Sequence, residues 1–290
     1  MHKYFLLFLA CFSTKVSYNQ PHLDYFKITS HYTSFPDTGR AAGHLYDNVL
    51  YSTPDHYSDS SVLIITPEHF NANNSVDIIF WFHGWNNNID TAIIRYGLAR
   101  QFEQSKVNAV LVLAETAKNS PDSYGGKLEQ TNTFAMLVND ILNKLAKEKL
   151  ISKNCKPGNI LLMGHSGAYR VMAHILDSGN LPVSEVVLFD ALYANTESFI
   201  KWITANNDHH FIDMYTDYGG TLDETKNMMK ELTIKKILFD STEEAQLRDD
   251  ALQSNRLLFI HSVHQHDYII QNPDNFKLYL ENCSFLKKEK

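Results

Sequence analysis

Short apolar runs rich in β-branched and aromatic residues recur along the chain at 61–66 (SVLIIT), 76–82 (VDIIFWF), 107–114 (VNAVLVLA), 159–163 (NILLM), 183–189, 211–216 and 257–262. Between them lie stretches with helical spacing. Strands buried on both faces read as continuous apolar runs, and parallel pairing needs a crossover between them. The alternation predicts an α/β fold with a doubly wound, mainly parallel β-sheet, in one domain over 21–290 and without a large lid domain. Asp90 is the expected N-cap of a helix reaching about residue 104. Phe134, Leu137, Val138, Ile141 and Leu145 form the apolar stripe of a helix over 131–149. A helix ending at Asp177 is expected to close on Gly179 at C′, another to start at Thr221, and a last one to open with Pro273 at its first position. The connection between Phe189 and Phe211 leaves room for one short helix only.

Charge and cysteine content narrow the function classes. With 290 residues, 44% hydrophobic, and a formal net charge of −7, the chain has the makings of a globular core but no basic face. A nucleic-acid partner is therefore not expected. Three cysteines are too few for a disulfide scaffold, and whether Cys155 and Cys283 pair is left open. The start, Met1-His2-Lys3 followed by an uncharged apolar run at 4–12, has the pattern of a signal peptide or lipoprotein signal over 1–20. An extracytoplasmic location follows as an expectation, with membrane anchoring only if Cys11 carries a lipid.

The segment Leu161-Leu162-Met163-Gly164-His165-Ser166-Gly167-Ala168-Tyr169 reads as a strand, a turn of small residues and a helix start. It resembles the G-x-S-x-G elbow of the α/β-hydrolase superfamily (serine esterase- and peptidase-like), departing from it only at Ala168. The resemblance implies a serine nucleophile at Ser166 and an oxyanion hole whose second loop is an HG motif. Phe82-His83-Gly84-Trp85 stands where that motif falls, so the backbone amides of Trp85 and Gly167 are the implied donors. The superfamily order Ser, acid, His directs the search for the base to the end of the last strand. There His266 is preferred and His264 is the alternative, while His261, inside the apolar run, is read as structural. The acid is Asp190 or Asp217, each ending a strand, with Asp190 preferred because its more apolar strand would leave an unpaired charge costly. His83, Gly84, Asn86, Tyr124 and Arg170 are the candidate substrate-binding residues.

What the resemblance implies is an exported serine hydrolase that cleaves an ester or amide through an acyl-enzyme, with no cofactor. The polar loops at 85–88 and 115–127 suggest a small or polymeric polar substrate. Two other readings compete: a glycan- or peptide-binding protein on the same fold, and a metal-dependent hydrolase using His264, His266 and Asp267 with Asp208, His209 and His210.

Overall fold

A computed structural model describes residues 23–289; the segment 1–20, expected to be a signal, and Cys11 within it lie outside the described residues. The strands are β1 (Leu23–Thr29), β2 (His44–Tyr46), β3 (Val49–Tyr51), β4 (Ser61–Pro67), β5 (Ser75–Phe82), β6 (Val110–Ala114), β7 (Lys156–His165), β8 (Glu185–Phe189), β9 (His210–Thr216), β10 (Asp240–Glu243) and β11 (Leu257–Ser262). Nine of them form one sheet in the order β1-β4-β6-β5-β7-β8-β9-β11-β10, and β2 and β3 pair apart as a hairpin. From β6 to β10 every neighbouring pair is parallel, whereas β4 and β1 are added antiparallel at the other edge. The helices are α1 (Thr53–His56), α2 (Ile89–Arg95), α3 (Leu98–Ser105), α4 (Thr133–Lys147), α5 (Tyr169–Ser178), α6 (Thr196–Ala205), α7 (Leu222–Ile234), α8 (Asp249–Ser254) and α9 (Asn275–Asn282).

Side-chain alternation along β5 explains why helices cover both faces. Ile78, Phe80 and Phe82 pack with Phe134, Leu137 and Ile141 of α4, while Ile79 and Trp81 face Phe102 of α3 and Phe276 of α9. The expected apolar stripe of α4 is thus core.

Several boundaries differ from the expectations. Asn88, not Asp90, caps α2 by accepting from the Thr91 amide, and Asp90 instead pairs with Lys27. The expected single helix is two, because Gly97 takes a left-handed conformation (φ 58°) between α2 and α3. Gly179 keeps a right-handed φ of −66° as the C-cap of α5, and Asn180 carries the left-handed turn at φ 55°. Pro273 precedes the N-cap Asp274 of α9 and is not its first helical residue. Strands β1 and β10 escape a reading based on apolar runs, since their residues alternate with polar ones or are mostly polar. Cys155 and Cys283 are both free thiols, and Cys283 Sγ donates to Glu185 Oε2 at 3.0 Å.

Candidate active site

β7 ends at the carboxyl edge of the sheet, and the chain turns there through Ser166 at φ +57°, a left-handed conformation unfavourable to any residue with a side chain. The turn continues as a short 3-10 segment, Ser166–Ala168, into α5. Such tightness requires small neighbours. A Cβ on Gly84 would lie 2.5 Å from Ser166 Cβ and 2.9 Å from the His165 carbonyl oxygen. Gly164 already meets Ala168 Cβ, at 2.6 Å from where its own Cβ would stand. Alanine at 168 therefore fits because position 164 has no side chain.

Asp190 leaves β8 at φ 47° and is fully buried. Its Oδ2 accepts from His266 Nδ1 at 2.6 Å and from Thr216 Oγ1 at 2.7 Å. Its Oδ1 accepts from the Thr216 amide at 3.2 Å and from the Thr221 hydroxyl. Burial alone would raise the carboxyl pKa, but the bonds from His266, Thr221 and Thr216 outweigh it and hold the group below its ordinary value. Since a carboxylate only accepts, Nδ1 of His266 carries the proton and Nε2 is left as the basic nitrogen.

The alternatives are bound elsewhere. Asp217 Oδ1 contacts His261 Nε2 at 3.1 Å, and Glu243 Oε2 contacts the other ring nitrogen at 2.8 Å. The amide of His264 bonds Ser262 Oγ, and its ring lies 3.8 Å from Glu244. Of the candidate bases His264 and His266 and the candidate acids Asp190 and Asp217, His266 and Asp190 are the pair that meets.

Two residues not foreseen from the sequence join Ser166 to this pair. His165 is buried; Tyr96 Oη lies 3.2 Å from its Nδ1, and its Nε2 donates to the His266 carbonyl at 3.0 Å. Its ring lies 4.4 Å from that of His266, and burial together with this neighbour pushes its pKa down to about 3, so it stays neutral. Tyr193 lines the same cavity as Ser166, donates to the Gly219 carbonyl, and sets its ring edge-on to His266 at 6.3 Å. Burial pushes its phenol up to about 12. Among the described residues Ser166 and His266 share no hydrogen bond.

A cavity of about 370 Å³ opens at Ser166, lined by Trp85, Ser123, Ser166, Gly167, Tyr169 and Tyr193. Trp85 Nε1 donates to Ser123 Oγ at 2.7 Å, which fixes the indole as one wall. His83 lies beneath, buried, with Nε2 at 2.7 Å from Glu115 Oε1 and Nδ1 at 2.8 Å from the Gly84 carbonyl. It braces the loop and does not line the cavity. Of the other candidate binding residues, Asn86 is exposed with its amide on the Ser120 carbonyl. Tyr124 donates to Asp37, and Arg170 grips Glu129 through two bonds. These three are not among the residues that line this cavity. The polar 115–127 loop thus spends its side chains on its own support, and the wall offered beside Ser166 is largely aromatic.

The metal reading draws on residues at opposite ends of the sheet. His209 and His210 precede or begin β9, where His209 stacks on Trp202 and His210 packs on Phe285, while His266 follows the carboxyl end of β11. Among the described residues, no group of three or more His, Cys, Asp or Glu is placed to hold a metal ion.

Solved structures similar to this chain include hydrolases. A ferulic acid esterase matches with TM-score 0.58 at 9% identity, covering 92% of this chain and 100% of that one. The S-formylglutathione hydrolase of Staphylococcus aureus matches with TM-score 0.53 at 12% identity over 90% of this chain and 96% of its own. A carboxyl esterase of the mycorrhizal fungus Tuber melanosporum matches with TM-score 0.52 at 11% identity, covering 94% and 90%. The chain has the α/β-hydrolase fold. In sequence, no family model and no curated protein matches it.

Proposed function

We propose that the chain is an exported serine hydrolase acting on an ester, with Ser166 as nucleophile, His266 as base and Asp190 as its partner. The observation that carries this reading is the bond from His266 to a buried Asp190 beside a serine in a left-handed turn. The named neighbours, esterases and hydrolases of the same fold, add support.

Attack by Ser166 Oγ on the carbonyl carbon forms the acyl bond as the hydroxyl proton passes to His266 Nε2. Asp190 keeps the imidazole in the required tautomer and balances the imidazolium. The backbone amides of Trp85 and Gly167 stabilise the oxyanion, where losing one donor costs about 10²–10³ in rate. His266 then gives its proton to the leaving oxygen as the carbon–oxygen ester bond breaks. Water attacks the acyl-enzyme, passing a proton through His266 to Ser166 Oγ, and the acid leaves. The scheme calls on no cofactor. It does require the Ser166 hydroxyl to turn toward His266.

Turnover of p-nitrophenyl esters by wild type and its loss in Ser166→Ala test the reading; equal turnover by both would remove it. The proposal of export rests on the 1–12 sequence pattern alone. Amino-terminal sequencing of protein recovered outside the cytoplasm tests it, and an intact Met1 in a cytoplasmic fraction would oppose it.

A further inference from the structure

The cavity at Ser166 continues onto an apolar face that the scheme above leaves unused. The hairpin β2–β3 turns through Asp47 and Asn48, at φ 47° and 63°. A two-residue type I′ turn needs positive φ at both positions, and it fixes the tip. The register sets Tyr46 against Val49 and His44 against Tyr51 on one side of the ribbon, and Leu45 against Leu50 on the other. On the first side, the Tyr46 ring packs edge-on against Trp85, with centroids 5.4 Å apart. Trp85 is a wall of the Ser166 cavity, so the hairpin side prolongs that wall outward. Tyr46 and Val49 are 43% and 53% exposed, and Trp85 is 42% exposed, which leaves a run of apolar surface open to solvent beside a nucleophile.

The nearby cations do not compete for this surface. Arg40 is held by Asp122 through two bonds and Arg170 by Glu129 through two more, so neither is free to receive an anionic group. On the His266 side, a second cavity of about 300 Å³ is bordered by Tyr218, Gln265, His266, Asp267 and Tyr268. A general acid must stand beside the oxygen it protonates, so the alcohol half of an ester lies at His266. The acyl half is left with the Trp85 side.

We infer that Tyr46 and Val49 form, with Trp85, an outer subsite for an apolar acyl chain longer than acetyl. This rests on the serine-hydrolase reading of Ser166. Tyr46 and Val49 belong to the hairpin at residues 44–51, outside both the elbow and the HG loop that carries Trp85, and the occupant is the substrate's own acyl chain.

The test compares kcat/KM for p-nitrophenyl octanoate and p-nitrophenyl acetate, which share a leaving group and differ in acyl length. Tyr46→Ser combined with Val49→Ser is expected to lower the octanoate-to-acetate ratio about tenfold, the effect of withdrawing contact from a few methylenes. Tyr46→Phe is expected to keep the wild-type ratio. A ratio that stays within about twofold of wild type in the double variant overturns the subsite. Both side chains are substantially exposed, and the single Tyr46→Asn change carries the same comparison if the double variant folds poorly. Should wild type and Ser166→Ala behave alike on both esters, the hydrolase reading fails separately. The subsite is then judged by titrating octanoate into wild type and the double variant: weaker binding in the variant supports it, and equal affinity removes it.

Discussion

His266 and Asp190 are 76 positions apart in the chain, yet Nδ1 of one donates to Oδ2 of the other at 2.6 Å. The acid follows β8, and the residues that brace it, Thr216 and Thr221, come from the end of β9 and the loop beyond. A carboxylate so buried keeps its charge because every approach to it ends in a donor. The pairing leaves Asp217 to His261 and gives the strand-end carboxylates separate tasks.

Asp190→Asn replaces the acceptor that orients His266 with a group that can also donate. The expected loss is roughly 10⁴ in kcat, the size of effect seen when a triad acid becomes an amide. Thr216 and Thr221 would still face a polar group, so the circular dichroism spectrum should remain native. Activity within about tenfold of wild type would remove Asp190 from this role.

Gly84→Ala puts a methyl carbon 2.5 Å from Ser166 Cβ and 3.0 Å from the Gly167 amide nitrogen. Backbone must shift on one side or the other, and a shift on the order of 1 Å at a reacting group costs about 10² in rate. Steady-state kinetics should show that loss in kcat, and an unaltered kcat would mean the two loops do not form one site.

His165 governs part of the acid stability. Its folded pKa is about 3, against 6.5 for the free side chain, so the unfolded chain binds a proton below pH 6.5 that the folded chain refuses. Stability carried by this group is full above pH 6.5 and is lost as the pH falls toward 3. Glu185 and Asp213, both raised to about 7 by burial, act in the opposite sense, losing stability as the pH rises toward 7. Comparing wild type with His165→Gln cancels these two. Urea midpoints at pH 7 and pH 5 should show wild type losing more stability on acidification than the variant. Parallel losses would contradict a neutral His165.

The fold was largely legible because its inner strands are buried on both faces and announce themselves as unbroken apolar runs. β1 and β10, at the edges of the sheet, have one face or more in solvent and carry no such signal. The elbow could be read from Gly164, Ser166 and Gly167, since a tight turn leaves few residue types possible. In sequence only the more apolar strand before it favours Asp190 over Asp217, since both end strands; packing of the 216–221 turn is what brings Asp190 to His266. Tyr193, Ser123 and Tyr169 gave no sign of their place, being contributed by loops and a helix start whose course depends on tertiary contacts. The polar 85–88 and 115–127 segments pointed toward a polar substrate, but Arg170, Tyr124 and Asp122 are consumed by internal pairs, which leaves the aromatic wall to face the ligand.

The central claim is that Ser166 is an activated nucleophile. Treating the folded protein with a fluorophosphonate and mapping the modified peptide by mass spectrometry tests it most directly. One adduct on the peptide containing Gly164-His165-Ser166-Gly167, absent from Ser166→Ala and sharply reduced in Asp190→Asn, is the predicted result. Folded protein that takes up no label, or that is labelled equally after Ser166→Ala, would contradict it.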